Sequence, residues 1–260
     1  MNGEISSMRL WWNKIWPPLV AVLFLLGIWQ LSTSLFEIEK WILPSPINIA
    51  REVLTESSRL WEHTLATVKL TGIGFTIGTS VGLLIAIVLH SIPFLKSALY
   101  PLLILSQNVP TIALAPLLMI WFGFGLLPKI IVITLVCFFP VAIAMMSGLR
   151  QTDPIMLSYM RMIGASKRQI FVKLELPHAL PSIFSGIKIA ATYSVMGAVI
   201  AEWIGSDKGI GYYMMLQKSS YRTDRVFIAI SIIVMLSLTM FAIIALLEKW
   251  FVRWNRRQES

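Results

Sequence analysis

Long apolar runs separated by short polar links set the plan of this 260-residue chain. Six runs, at about 17–36, 64–89, 97–121, 129–149, 179–203 and 226–247, carry few charges. A helix needs roughly 20 mostly apolar residues to cross a hydrocarbon layer about 30 Å thick, and each run can supply that. A β-barrel would show short alternating strands, and the sequence has none. The pattern therefore predicts an all-α membrane protein: one bundle of six transmembrane helices with two larger loops.

The links and breaks carry further signals. In Leu43-Pro44-Ser45-Pro46, Ser45 suits an N-cap and Pro46 the first helical position, so a short helix should begin there. Ile47, Ala50, Leu54 and Trp61 could line one face of it, as in a helix lying at the membrane interface. The third run is interrupted by Ser106-Gln107-Asn108, with Pro101, Pro110 and Pro116 around it. Amides in hydrocarbon need partners or water, and prolines free backbone carbonyls with the same need. The cluster either lines a translocation pathway or stitches helices together. Gly74, Gly78 and Gly82 recur at every fourth position of the second run, where another helix backbone can approach closely. That contact lies within one subunit or across a dimer.

Composition agrees: 57% of residues are hydrophobic and 13% charged. With the N-terminus inside, the inner segments hold twelve Lys and Arg and the outer segments eight. The positive-inside bias thus places both termini and loop 150–178 in the cytoplasm, and segments 37–63 and 204–225 outside. Topology and anionic lipid account for the net charge of +9 without nucleic acid. Arg9 and Lys14 precede a run too long for a signal-peptide core, so the first span is expected to be a retained anchor. Most tryptophans cluster at predicted span ends, as interfacial aromatics do. Cys137, the only cysteine, can form no intrachain disulfide.

Several chemistries are disfavoured. Gly78-Thr79-Ser80-Val81-Gly82 formally matches a hydrolase elbow, but that motif needs a strand before its serine, and here the serine lies within a helix. His63, His90 and His178 lack metal-ligand spacing. No phosphate-binding loop occurs, so the chain has no usual cradle for ATP. Lys69 and Lys188 can snorkel to the interface. Glu202, near the outer end of the fifth run, could meet substrate, a partner or lipid headgroups. A proton- or sodium-coupled carrier would usually place ionisable groups at mid-depth, and such groups are scarce here.

The segment from Gly164 to Pro177 reads glycine, nine residues, then apolar-x-Leu-Pro, and lies between two membrane runs. It resembles the signature loop of the membrane-spanning subunits of ATP-binding-cassette importers. That pattern opens with Glu-Ala-Ala, where this chain has Ser158-Tyr159-Met160. Leu43-Pro44-Ser45-Pro46, the stretch from Ser106 to Leu117, Trp121-Phe122-Gly123, Glu202-Trp203-Ile204-Gly205 with Gly209-Ile210-Gly211, and Thr223-Asp224 extend the likeness. Together they resemble the importer subfamily for taurine, aliphatic sulfonates, nitrate and thiamine-precursor pyrimidines.

The resemblance implies a type I importer permease of MetI-like fold in the bacterial inner membrane. It divides the chain into an N-terminal span with its outer connection (1–60), a permease core (61–248) and a basic cytoplasmic tail (249–260). It implies a homodimer with two ATP-binding-cassette ATPase subunits, which would carry the ATP-Mg, and an extracytoplasmic solute-binding protein. No cofactor is expected on this chain, which would not itself be an enzyme. Residues 154–163 should form a short coupling helix ending near Gly164. Tyr159, Met160 and Met162 would contact the ATPase, with Ala165, Leu174, Leu176 and Pro177 completing the loop. Ser106, Gln107 and Asn108 are the pathway candidates. A non-transporting membrane scaffold and a secondary carrier are the competing readings.

Overall fold

The computed structural model describes residues 2–252, with side chains from Trp16 onward. The basic tail beyond Val252 and the side chains of Arg9 and Lys14 lie outside the described residues. The elements are α1 (Asn2–Leu35), α2 (Pro46–Thr55), α3 (Ser57–Ser91), α4 (Pro93–Ser106), α5 (Thr111–Phe122) and α6 (Leu126–Arg150). After them come α7 (Pro154–Met162), α8 (Lys167–Ile170), a π-helical turn (Phe171–Glu175), α9 (Leu176–Gly205), α10 (Ile210–Ser219) and α11 (Thr223–Phe251). The described residues contain no strand. Among the described residues five stretches are long and apolar enough to cross a membrane: Trp16–Leu35, Ser57–Ser91, Leu126–Arg150, Lys167–Gly205 and Thr223–Phe251.

The third expected span is broken. In place of one helix over 97–121, α4 and α5 meet at a bend of 101°. Pro110 has no N–H to continue the α4 ladder and pushes Val109 away from helical geometry. The freed carbonyls are met locally, since Asn108 Nδ2 donates to the carbonyls of Ile104 at 3.2 Å and Leu105 at 3.3 Å.

The chain forms two compact units, one made of the residues up to Leu60 with Met214–Ile230, the other of Trp61–Tyr213 with the residues from Ser231 on. In the first unit, Ser45 caps α2 by accepting from the Asn48 N–H at 3.3 Å, and Pro46 occupies the first turn, as expected. Ile47, Ala50 and Leu54 lie exposed along α2. Glu52 on α2 and Glu56 at its C-cap instead receive Arg222 and Arg225, at 2.6 Å and 2.9 Å respectively. Arg222 also binds Asp224 at 3.0 Å. These carboxylates hold the Arg222 guanidinium even more firmly in its charged form, the Asp224 hydrogen bond contributing most.

In the second unit, α6 and α9 form the principal helix pair. The glycines of α3 settle the packing question in favour of contact within the subunit. A Cβ on Gly78 would lie 2.6 Å from Cys137 Cβ, and one on Gly82 would lie 2.7 Å from the Phe138 carbonyl oxygen. Gly74 meets Ile133 in the same way, so the three glycines are the seam along which α3 lies on α6. Buried Leu70, Ile133, Cys137, Val141, Ala190 and Ala198 fill the space beside that seam.

Lys188 forms an ion pair, where snorkelling was expected: its Nζ lies 2.8 Å from Glu248 on α11. Two partly buried opposite charges meeting between spans avoid the cost of leaving either alone in hydrocarbon. Lys69 is exposed.

Candidate functional site: a neutral cavity and an exposed apolar helix

A cavity of about 830 Å³ opens between the α4–α5 break, α6 and α9. Ser106, the last residue of α4, and Gln107, its C-cap, line the cavity wall, with Ser106 Oγ donating back to Leu103 O at 2.9 Å. Thr111, Ser147 and Tyr193 supply the other hydroxyl groups, and Phe139 an aromatic face. No Lys, Arg, His, Asp or Glu is among the residues lining it. Asn108 is not a lining residue either. Its amide is spent on the carbonyls at the end of its own helix, so of the three expected pathway residues two line the cavity and one holds the bend.

The opposite kind of surface occurs between α6 and α9. Asp153 caps α7 by accepting from the Ile155 N–H at 2.7 Å, and Pro154 takes the first helical position. The helix ends in a Schellman arrangement: the Gly164 N–H bonds to Arg161 O at 3.1 Å and the Ala165 N–H to Met160 O at 3.0 Å. Gly164 adopts φ +76°, a left-handed conformation that side chains with a Cβ resist. Met162 is 85% exposed and Ile155 77%, with Tyr159, Met156 and Ile163 also exposed. Met160 and Ala165 are half-buried. Of the trio expected from sequence, Tyr159 and Met162 are exposed, beside Ile155 and Met156, which the sequence reading did not name.

Leu174, Leu176 and Pro177 stand apart from that surface. The loop expected up to residue 178 is helical from Lys167 onward, and α9 begins at Leu176. Ser166 starts this stretch with a capping box, accepting from the Gln169 N–H while Gln169 accepts from the Ser166 N–H. Leu176 packs against the cluster of Ala86, Leu89, Met145, Met146, Leu149, Ala179 and Ile183, where it belongs to the span wall. Pro177 has no N–H for the Lys173 carbonyl, and its ring would crowd that group. Phe171–Glu175, just before, widen to π geometry, with the Leu176 N–H reaching Phe171 O.

At the far end of α9, Glu202 is 1% exposed and so meets the protein's own groups instead of lipid headgroups. Its carboxylate accepts from Thr67 Oγ1 and from the Gly211 N–H, both at 2.8 Å. The Ile210 N–H donates to Thr67 Oγ1 at 2.8 Å, and the Gly209 N–H to His63 Nδ1 at 3.1 Å. Thus His63, Thr67 and Glu202 satisfy the Gly209, Ile210 and Gly211 N–H groups at the start of α10. Gly209 must lack a side chain, since its φ is +117° and a Cβ would overlap the Glu202 carboxylate. Beside this network Glu62 pairs with Lys208 at 2.8 Å and raises the Lys208 pKa.

A multi-span helical protein with an uncharged cavity at a broken span, and a short exposed apolar helix between two others, has the build of a membrane permease subunit. The chain belongs to the family described as binding-protein-dependent transport system inner membrane component, which it matches over residues 78–253. It is 36% identical over 228 residues to a probable ABC transporter permease protein of Haemophilus influenzae, covering 88% of this chain and 93% of that one. It is 34% identical over 242 residues to the formylaminopyrimidine transport permease protein ThiX of Halalkalibacterium halodurans, covering 93% and 96%. An amino acid ABC transporter crystallised with histidines shares the fold, with a TM-score of 0.64 at 18% identity, covering 76% of this chain and 96% of that one. The fold is that of the type I importer permeases, and family membership replaces the scaffold and secondary-carrier readings.

Proposed function

We propose that this chain is the translocation subunit of an ATP-driven importer for a small uncharged ring compound of the hydroxymethylpyrimidine kind. The neutrality of the cavity carries the reading of the substrate. A sulfonate or nitrate entering a low-dielectric space would need a cation or several N–H donors to replace its water. Ser106, Gln107, Thr111, Ser147 and Tyr193 offer an amide and hydroxyls, with Phe139 as an apolar face. That set suits a flat polar ring, and the name of the ThiX relative points to the same substrate class.

Energy enters through α7. Its exposed Ile155, Met156, Tyr159 and Met162 form an apolar, Met-rich surface that suits a groove on a separate ATPase. In this reading α7 and both termini face the cytoplasm, two copies of the chain assemble with two ATPases, and an extracytoplasmic binding protein delivers solute to the other side. Co-expression with the products of neighbouring genes tests it. The ATPase should co-purify with the permease, and the binding protein should bind hydroxymethylpyrimidine in preference to taurine or nitrate. A stable permease that captures no ATPase would refute the reading, and preference for taurine would refute its substrate half.

A further inference from the structure

Phe171–Glu175 is π-helical within a helix that otherwise runs without interruption from Lys167 to Gly205. Such turns are rare and need compensation from their surroundings. Here one side chain from the end of α3 supplies it. His90 Nε2 donates to Glu175 Oε2 at 2.9 Å, while its ring lies 5.8 Å from the ring of Phe171. A single imidazole therefore grips the first and the last residue of the π turn. Upstream, only Ala165 and the four-residue α8, capped by Ser166, separate the turn from Gly164 at the end of α7. Downstream, the same helix presents Ile189 and Tyr193 to the cavity.

We propose that this turn is the joint through which movement of α7 reaches α9, and that His90 is a positioning residue holding the joint in the conformation seen here. The inference rests on the importer reading above. Converting the π turn to α geometry releases one residue, which turns the upstream segment by roughly 100° relative to α9. Pro177 keeps the two forms close in energy, because in α geometry the Lys173 carbonyl has no N–H to accept from. A ligand or partner shifts such an equilibrium by its differential contacts with the two forms, and His90 contacts both ends of one of them.

The test uses the permease assembled with its ATPases, carrying Ser147→Cys on the cavity wall in a Cys137→Ala background. Labelling by a hydrophilic maleimide is compared between nucleotide-free and ATP-vanadate-trapped complexes. The parent should show a change of about tenfold, typical of a coupling between two sites. His90→Ala and Pro177→Ala should each reduce that change to under about twofold while ATP hydrolysis continues, and His90→Gln, which keeps a donor, should restore it. A full labelling change in both His90→Ala and Pro177→Ala would overturn the proposal. Equal loss of assembly and of labelling in His90→Ala and His90→Gln would also overturn it, by reducing His90 to a packing role. A parent complex with no nucleotide-dependent change at all would instead refute the importer reading itself.

Discussion

Replacing Gly82 by alanine would put a Cβ 2.7 Å from the Phe138 carbonyl oxygen and 3.0 Å from Val141 Cβ. Ordinary carbon contacts sit at about 3.5–4.0 Å, so α3 would have to retreat from α6 by a large fraction of an ångström. Overpacking of this kind costs roughly 1–3 kcal/mol, and the upper end applies where the obstacle is helix backbone. Alanine returns about 1 kcal/mol of helix propensity over glycine, leaving a net loss of about 1–2 kcal/mol. Gly72 supplies the control on the same helix: a Cβ there meets nothing within 4 Å. Gly72→Ala should be neutral or stabilise by up to about 1 kcal/mol. Gly78→Ala should also destabilise, and Cys137→Gly should recover part of that loss, because the nearest obstacle is Cys137 Cβ at 2.6 Å. Reversible unfolding in mixed micelles titrated with SDS, followed by tryptophan fluorescence, reads these differences. A Gly82→Ala variant as stable as Gly72→Ala would refute the close approach of α3 to α6.

Gln107→Leu should cut uptake per assembled complex with little change in stability. Asn108→Leu should lower stability by about 0.6–2 kcal/mol with uptake per complex retained; the reverse pattern would overturn the division of roles at the α4–α5 break. Glu202→Ala leaves the Gly211 N–H without its buried acceptor, while the Thr67 hydroxyl keeps the His63 carbonyl, and should cost about 1–3 kcal/mol in the same SDS titration. Met162→Asp should abolish co-purification of the ATPase while the permease still inserts and unfolds at the wild-type SDS concentration; retained ATPase would remove α7 as the contact.

The spans were legible because about 20 apolar residues in a row have few alternatives to crossing a membrane. The caps of α2 and α7 were legible for a local reason, since Ser45-Pro46 and Gly164 act on their own backbone. Partners contributed by distant helices left no such mark. The sequence places Gly78 on a packing face but does not say that Cys137, 59 residues later, is what it meets. Glu202 reads as interfacial by position and is buried because Thr67 and Gly211 supply its donors. Lys188 reads as a snorkelling lysine until Glu248 is seen beside it. Asn108 and Gln107 look equivalent in the chain, and only the direction of the break separates the amide that holds the bend from the one that faces the cavity. The loop through Pro177 was drawn too long because a proline after polar residues signals a helix boundary, whereas here a π turn absorbs it.

Uptake into proteoliposomes bearing the permease and its co-purified ATPase, with the binding protein outside and ATP-Mg enclosed, tests the central claim most directly. Labelled hydroxymethylpyrimidine should accumulate only when ATP is hydrolysed, and taurine should not compete. Accumulation that proceeds without ATP, or that carries taurine in place of the pyrimidine, would contradict the account.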